Sequence, residues 1–421
     1  MYKKTILKNG LTILEVPIRG AKSVLVDVFV KVGSRNEDKR VNGISHFLEH
    51  LFFKGSKRFP TAQDLSHALD AIGAEYNANT GKEHTQYYIK AAKKHFRFIF
   101  ETLTDVLQNP VFAPEEIERE KGVIIEEINM YEDTPMRHVE DVLEEVMWPD
   151  QPLGRNIAGT KEVIRRTRQR DITGYVKTFY KPQNMIIAVT GSYNRALLRG
   201  LLTKHWAGVP SAVVPLFAAA RSAQKAPAVK LETKPTEQYH LALGFRSYDH
   251  NHPDYIPQIV LSAILGGGMS SRLFTEVRER RGLAYYVRAQ TGNYRDTGNF
   301  VIAAGLARGA LTDATKVIMA EVQKLKNENV SDRELHKVKE YLKGTLTLSL
   351  EESEALLSWY LEQIAFRSRV LEPESAFAAI DRVNVGDVRR VARDIFQARK
   401  LSLAIVGPKG DGRALRSLLK M

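Results

Sequence analysis

Met185-Ile186-Ile187-Ala188-Val189-Thr190-Gly191 and Leu401-Ser402-Leu403-Ala404-Ile405-Val406-Gly407 are one pattern written twice, 216 positions apart. Each is a short apolar run stopped by glycine, which reads as a buried strand. Working outward from the first copy, alternating apolar residues over 11–16 and 24–30 predict two strands, followed by a helix that carries two histidines. Thr61, after Pro60, caps a helix through Leu65, Leu69 and Ile72. Two more strands are expected over 76–80 and 85–90, then a helix over 96–107 and another starting at Pro114, a favourable first-turn position. The same order returns in the second half. A strand at 240–245 leads to a helix through Ile259, Leu261 and Ile264, then to hairpin-like stretches at 284–291 and 300–304. A helix at 311–326 follows, and Ser331-Asp332-Arg333-Glu334 is a capping box opening the next. The offset stays within 216–221 throughout. The fold expected is α+β, with two duplicated domains, each a mostly antiparallel sheet with helices packed on one face. Their bounds are 1–212 and 230–421, joined by a linker at 213–229 whose centre is Leu216-Phe217-Ala218-Ala219-Ala220-Arg221-Ser222-Ala223-Gln224-Lys225-Ala226-Pro227.

Composition narrows the class. At 421 residues the chain exceeds one core and suits two domains of about 200 residues. With 43% hydrophobic and 26% charged residues it is of the soluble globular kind, and no apolar run approaches the ~20 residues of a membrane span. The opening Met-Tyr-Lys-Lys-Thr-Ile-Leu-Lys-Asn-Gly breaks its apolar stretch too early for a signal peptide, so a cytoplasmic location is expected. Cysteine is absent, which fits a reducing compartment and leaves only His and carboxylate side chains for any metal. The net charge of +13 raises nucleic acid as a partner, but the Lys and Arg residues are scattered rather than set in a stripe with aromatics. Residues 115–145 run the other way, with twelve acidic side chains. They form either a patch attractive to basic peptides or an ordinary charged helix face.

The histidine helix carries His46-Phe47-Leu48-Glu49-His50, an H-x-x-E-H pattern. Histidines at i and i+4 sit one above the other, about 5.4 Å apart along the helix, so two neutral imidazoles can grip one Zn²⁺ at ~2.0–2.1 Å. Glu49 shares that side and can reach an attacking water without binding the metal. Read without chemistry, the same residues are two histidines bordering a core. A third ligand decides between the readings, because a catalytic zinc site needs three protein groups and an open position. The helix after Pro114 offers Glu120, Glu126 and Glu127. Glu120 and Glu127 are two turns apart on one face, and Glu126 points about 100° away.

This pattern, with 76 residues between His50 and Glu127, resembles the pitrilysin family, which includes insulin-degrading enzyme and mitochondrial processing peptidase; the inverted order of the motif is that of the inverzincins. The resemblance covers the whole chain, including its duplication. It implies one Zn²⁺ per chain on His46, His50 and Glu127, with Glu49 as general base and Glu120 supporting the site. It also implies that Asn77, Ala78 and Thr80 lie on an edge strand that takes the substrate backbone. In the second half, Arg278-Glu279-Arg280-Arg281-Gly282-Leu283-Ala284-Tyr285 matches the family's R-x6-Y segment, in which Arg278 holds a substrate carbonyl and Tyr285 stabilises the developing oxyanion. His46, His50 and Glu127 fall opposite Gly267, Ser271 and Thr345, so only the first copy can hold zinc.

By resemblance, the activity is that of a zinc metalloendopeptidase acting on peptides or unfolded segments in a chamber closed by two subunits. A homodimer is implied because this chain carries both the zinc motif and the Arg/Tyr pair; a heterodimer with a related chain is the variant. Arg278 and Tyr285 of one subunit would then serve the zinc of the other. The competing class is a non-catalytic structural or assembly subunit of the same fold. Gly266-Gly267-Gly268-Met269-Ser270-Ser271-Arg272 lacks the G-K-[ST] ending of a phosphate loop and reads as a tight turn, while His84, His138, His250 and His252 read as surface or core histidines.

Overall fold

Alternating apolar residues in the first half build β1 (Lys3–Ile6), β2 (Thr12–Pro17), β3 (Ser23–Val30), β4 (Glu75–Thr80), β5 (Thr85–Ala92) and β6 (Met185–Gly191), joined in the order β1-β2-β6-β3-β5-β4. The second half supplies β7 (Ala228–Thr233), β8 (Tyr239–Ser247), β9 (Ala284–Asn293), β10 (Gly298–Leu306) and β11 (Leu401–Gly407), in the order β7-β11-β8-β10-β9. Without β1 the two sheets have one topology. Each has a single parallel pair, β2 with β6 and β7 with β11, and every other pairing is antiparallel. The two strands that opened the sequence reading, β6 and β11, hold the same place in their sheets. This computed structural model describes residues 2–409 and 412–419.

Inner faces carry the expected helices. On the first sheet, Val24, Val26, Val28 and Val30 of β3 bury against Phe47, Leu48 and Leu51 of the motif helix (Ile44–Phe52) and Ile99, Phe100 and Leu103 of the helix Phe96–Gln108. Apolar residues at 44, 47, 48 and 51 form the i, i+3, i+4, i+7 stripe that seats the motif helix, leaving the other side for chemistry.

The outer faces are covered by an exchange between the halves. The first compact unit comprises Met1–Asn129, Arg155–Ala218 and Ser349–Ala365, and the second comprises Met130–Gly154, Ala219–Leu348 and Phe366–Met421. The division follows no single cut in the chain. Helix Pro135–Met147, from the first half of the sequence, lies in the second unit, where Val139, Val142, Leu143 and Met147 pack on Ala242, Val301, Ala404 and Val406. Its duplicate, Ser353–Phe366, joins the first unit. There Glu354 pairs with Lys90 at 2.5 Å, and Tyr360 lies 4.8 Å from Tyr2. Lys90 alternates with the core residues Ile89 and Ala91 and so points to the outer face, as do the buried Leu14, Val16, Leu25 and Phe29.

Helix Pro135–Met147 approaches β8 closely at Gly244. A Cβ at Gly244 would stand 2.7 Å from Met147 Sδ and 2.9 Å from Leu143 Cδ2, both ends of flexible side chains. Gly244→Ala should therefore be accommodated, whereas Gly244→Val is expected to destabilise by about 1–3 kcal/mol through overpacking. Thermal melts of the two variants check this, and equal stability would show that the helix is loosely held. Arg246 adds a C-terminal cap, its Nη2 donating to Met147 O at 2.8 Å.

The stretch expected as a linker is irregular as far as 227 and enters β7 at Ala228. It is tied to the first unit by buried Arg35, which pairs with Glu83 at 2.7 Å, lies 4.1 Å over the Phe217 ring and donates to Ala218 O at 3.2 Å. Much of the acidic run at 115–145 is consumed locally. Glu116 pairs with Arg119, Glu118 with Lys121, Glu140 with Arg288 and Glu145 with Lys230. No helix among the described residues is long and apolar enough to cross a membrane.

Candidate metal centre

The motif helix and the helix Pro114–Glu132 bring three side chains to one point. His46 Nε2 and His50 Nε2 lie 3.4 and 3.3 Å from the same oxygen, Glu127 Oε2. One ligand atom from each residue falls within 4.8 Å of the other two; among the described residues this is the one such group of His, Asp and Glu. Four ligands at ~2.0–2.1 Å from a tetrahedral zinc stand about 3.3 Å apart, so these separations suit that ion. Two imidazoles and a carboxylate form the donor set of known catalytic zinc sites.

The two histidines are held differently. His50 Nδ1 lies 3.0 Å from Glu120 Oε2, and Glu120 Oε1 in turn takes Lys54 Nζ at 2.6 Å. A carboxylate on the far nitrogen fixes the ring and leaves Nε2 free to face a metal. His46 Nδ1 is buried without a hydrogen bond, so helix attitude and packing place that ring. Burial alone would lower the His50 value, but Glu120 and Glu127 outweigh it and push it up to about 9. Burial works to raise Glu120, yet His50 and Lys54 hold it below the usual carboxylate range.

A pH dependence follows with a definite sign. Between neutral pH and about 9, His50 holds its proton between two carboxylates. Before zinc binds, the stabilising contribution is complete below the ordinary imidazole value of 6.5 and is lost as pH rises through about 9. Zinc requires the neutral ring, so zinc binding at pH 7 is expected to release about one proton per site. Apparent affinity should climb with pH up to about 9. Calorimetric titration in buffers of different ionisation heat measures the release; none at all would mean the ligand is not His50.

Glu49 stands beside the group without joining it. Burial raises its value above the ordinary carboxylate range, against the nearby Thr80 side chain, His46 and His50, while Glu127 adds to the rise. A carboxylate shifted in that direction is better placed to accept a proton near neutral pH. Asn77, Ala78 and Thr80 lie on β4, the edge strand of the first sheet. The Ala78 N–H is held by Asn77 Oδ1 at 2.9 Å. Thr80, expected only as a substrate contact, turns its hydroxyl to Ser45 O at 3.5 Å, at the start of the motif helix.

Arg278 and Tyr285 lie in the second unit. Arg278 sits in a wide π-type turn, Phe274–Glu279, its guanidinium 4.8 Å from the Phe274 ring and 5.6 Å from that of Tyr285. Such turns recur at functional sites. Tyr285, at the start of β9, is 74% exposed. The glycine run is the tight turn expected: a Cβ at Gly266 would stand 2.3 Å from Ala289 N, and Tyr341 donates to Gly267 O at 2.7 Å. The other histidines make structural contacts, His84 on Phe29, His138 with Glu232, His250 on Phe366 and His252 on Tyr248.

Sequence reasoning missed Lys54 and the buried Glu37. Lys54 was within reach, four residues beyond His50 on the motif-helix pattern. Glu37 lies in the turn before the helix, where no periodicity marks it.

Residues 16–161 match the family described as Insulinase (Peptidase family M16), and residues 168–342 match the Peptidase M16 inactive domain. The chain is 32% identical to an uncharacterized zinc protease of Bacillus subtilis over 98% of this chain and 99% of that one. A second, from Streptomyces coelicolor, is 33% identical over 98% of this chain and 91% of its own. Among solved structures, a protease from Helicobacter pylori superposes with a TM-score of 0.91 at 24% identity, covering 97% of this chain and all of that one. A peptidase M16 inactive domain from Pseudomonas fluorescens gives 0.88 at 18% identity, covering 97% and 98%.

Proposed function

The chain belongs to the insulinase family of peptidases (family M16), and from that footing we propose that it is a zinc-dependent endopeptidase cutting peptides or unfolded segments. The observation that carries this reading is the convergence of His46 and His50 on one oxygen of Glu127, with the unligated Glu49 carboxylate beside them. His46, His50 and Glu127 would hold one zinc per chain. When bound, zinc supplies a Lewis acid that polarises the scissile carbonyl and acidifies water.

The protein's own groups do the rest. Glu49 takes a proton from water as its oxygen bonds to the carbonyl carbon. It returns that proton to the departing nitrogen as the C–N bond breaks. The free edge of β4 offers backbone groups to an extended peptide, with Asn77 and Ala78 along it. Arg278 and Tyr285 serve as donors to the substrate carbonyl and its developing charge.

The working form is a homodimer whose two copies close around the substrate; light scattering that finds the active species monomeric would overturn this part. The activity itself is tested by metal analysis after dialysis and by mapping cleavage of a mixed peptide library. One zinc per chain is expected, with internal cleavages that a chelator stops and added zinc restores. Full zinc with no cleavage would instead mark a structural or assembly subunit of this fold.

A further inference from the structure

We propose that Glu37 is the positioning residue of the zinc-motif helix: its buried carboxylate caps the amino end of Ile44–Phe52 and sets the attitude at which His46 meets the metal. The inference rests on the zinc reading above.

That helix has no cap of its own. Its N-cap is Gly43, at φ +97°, with no side chain to offer. Glu37, six residues earlier and only 3% exposed, does the work instead. Its Oε2 accepts from Gly43 N at 2.7 Å and Asn42 Nδ2 at 3.0 Å, and its Oε1 accepts from Ser45 N at 2.8 Å. An anion at this end also meets the positive pole of the helix dipole.

The same helix end is clamped from two further sides. Gly43 and Gly159 stand back to back: a Cβ at Gly43 would lie 2.5 Å from Ala158 O, and one at Gly159 would lie 2.2 Å from Asn42 O. Arg155 Nη1 holds the Glu37 carbonyl at 2.8 Å, and the Ser45 and Tyr175 hydroxyls lie 2.9 Å apart. His46 follows Ser45 directly. Its far nitrogen has no hydrogen bond, whereas His50 is fixed by Glu120, so the backbone capped by Glu37 is what aims His46. A glutamine at 37 would turn an NH₂ group towards N–H donors and lose the charge while keeping the shape.

The test compares Glu37→Gln with wild type by zinc dissociation constant, measured in competition with a chelator, and by the visible spectrum of the Co²⁺-loaded protein. Affinity is expected to fall about 10- to 100-fold, the usual effect of removing an outer partner of a metal site, with altered cobalt bands. Glu83→Gln is the control for lost stability, since it removes a buried carboxylate that pairs with Arg35; its zinc affinity should match wild type. A folded Glu37→Gln with wild-type affinity and spectrum would overturn the inference. A wild type that binds no zinc would overturn the zinc reading itself and this inference with it. Should Glu37→Gln fail to fold, Asn42→Ala removes one donor and keeps the carboxylate. A smaller loss of the same kind is then expected, and no loss would overturn the inference.

Discussion

Glu49→Gln is expected to lower kcat for peptide cleavage by about 10²- to 10⁴-fold, the usual contribution of a general base, with zinc content at the wild-type level. The physical reason is that Glu49 lies beside the ligand group without belonging to it. Gln preserves the shape, but it has no proton affinity to lend. Glu127→Gln should behave differently and lose the metal first, because it removes the oxygen on which both histidines converge. The wild-type rate should also fall on the acid side as Glu49 gains its proton, at a pH above the ordinary glutamate value of 4.5 because burial raises it. Steady-state kinetics with metal analysis on each sample decides the matter. A Glu49→Gln enzyme within tenfold of wild type would mean that another group moves the proton.

Residues 1–218 expressed alone are not expected to fold, although they contain every zinc ligand. The fragment keeps helix Pro135–Met147 but loses the sheet it covers, stranding Val139, Val142, Leu143 and Met147. At about 1.5–3 kcal/mol per buried side chain, these four alone forfeit roughly 6–12 kcal/mol, as much as a whole domain's net stability. The fragment also lacks Ser353–Phe366, the helix that reaches the outer face of its own sheet through Glu354 and Lys90. Soluble yield, circular dichroism and dye binding would report an aggregated or loosely packed chain. A soluble fragment with a sharp melt near that of the full chain would show that the exchanged helices contribute little.

The metal site was legible because its code is local. Histidines four apart and glutamates seven apart declare a shared helix face before any fold is known, and duplication of the strand pattern showed which half could bear ligands. The supporting residues were hidden for the opposite reason. Glu37 reaches the motif helix through a turn with no periodicity, and Thr80 meets Ser45 O only because β4 packs against that helix. For Pro135–Met147, periodicity reveals an apolar face to bury but not which sheet receives it. That depends on the outer-face residues Ala242, Val301, Ala404 and Val406, which come from strands far along the chain.

Because the first unit includes residues Ser349–Ala365, its sheet cannot be covered on its outer face until more than four-fifths of the chain has left the ribosome. Through most of synthesis the metal-binding half must wait with one apolar face bare, at the roughly 5–20 residues per second of translation. The order of synthesis thus withholds a complete first unit, and with it the finished setting of the His46–His50–Glu127 group, until most of the second half is made.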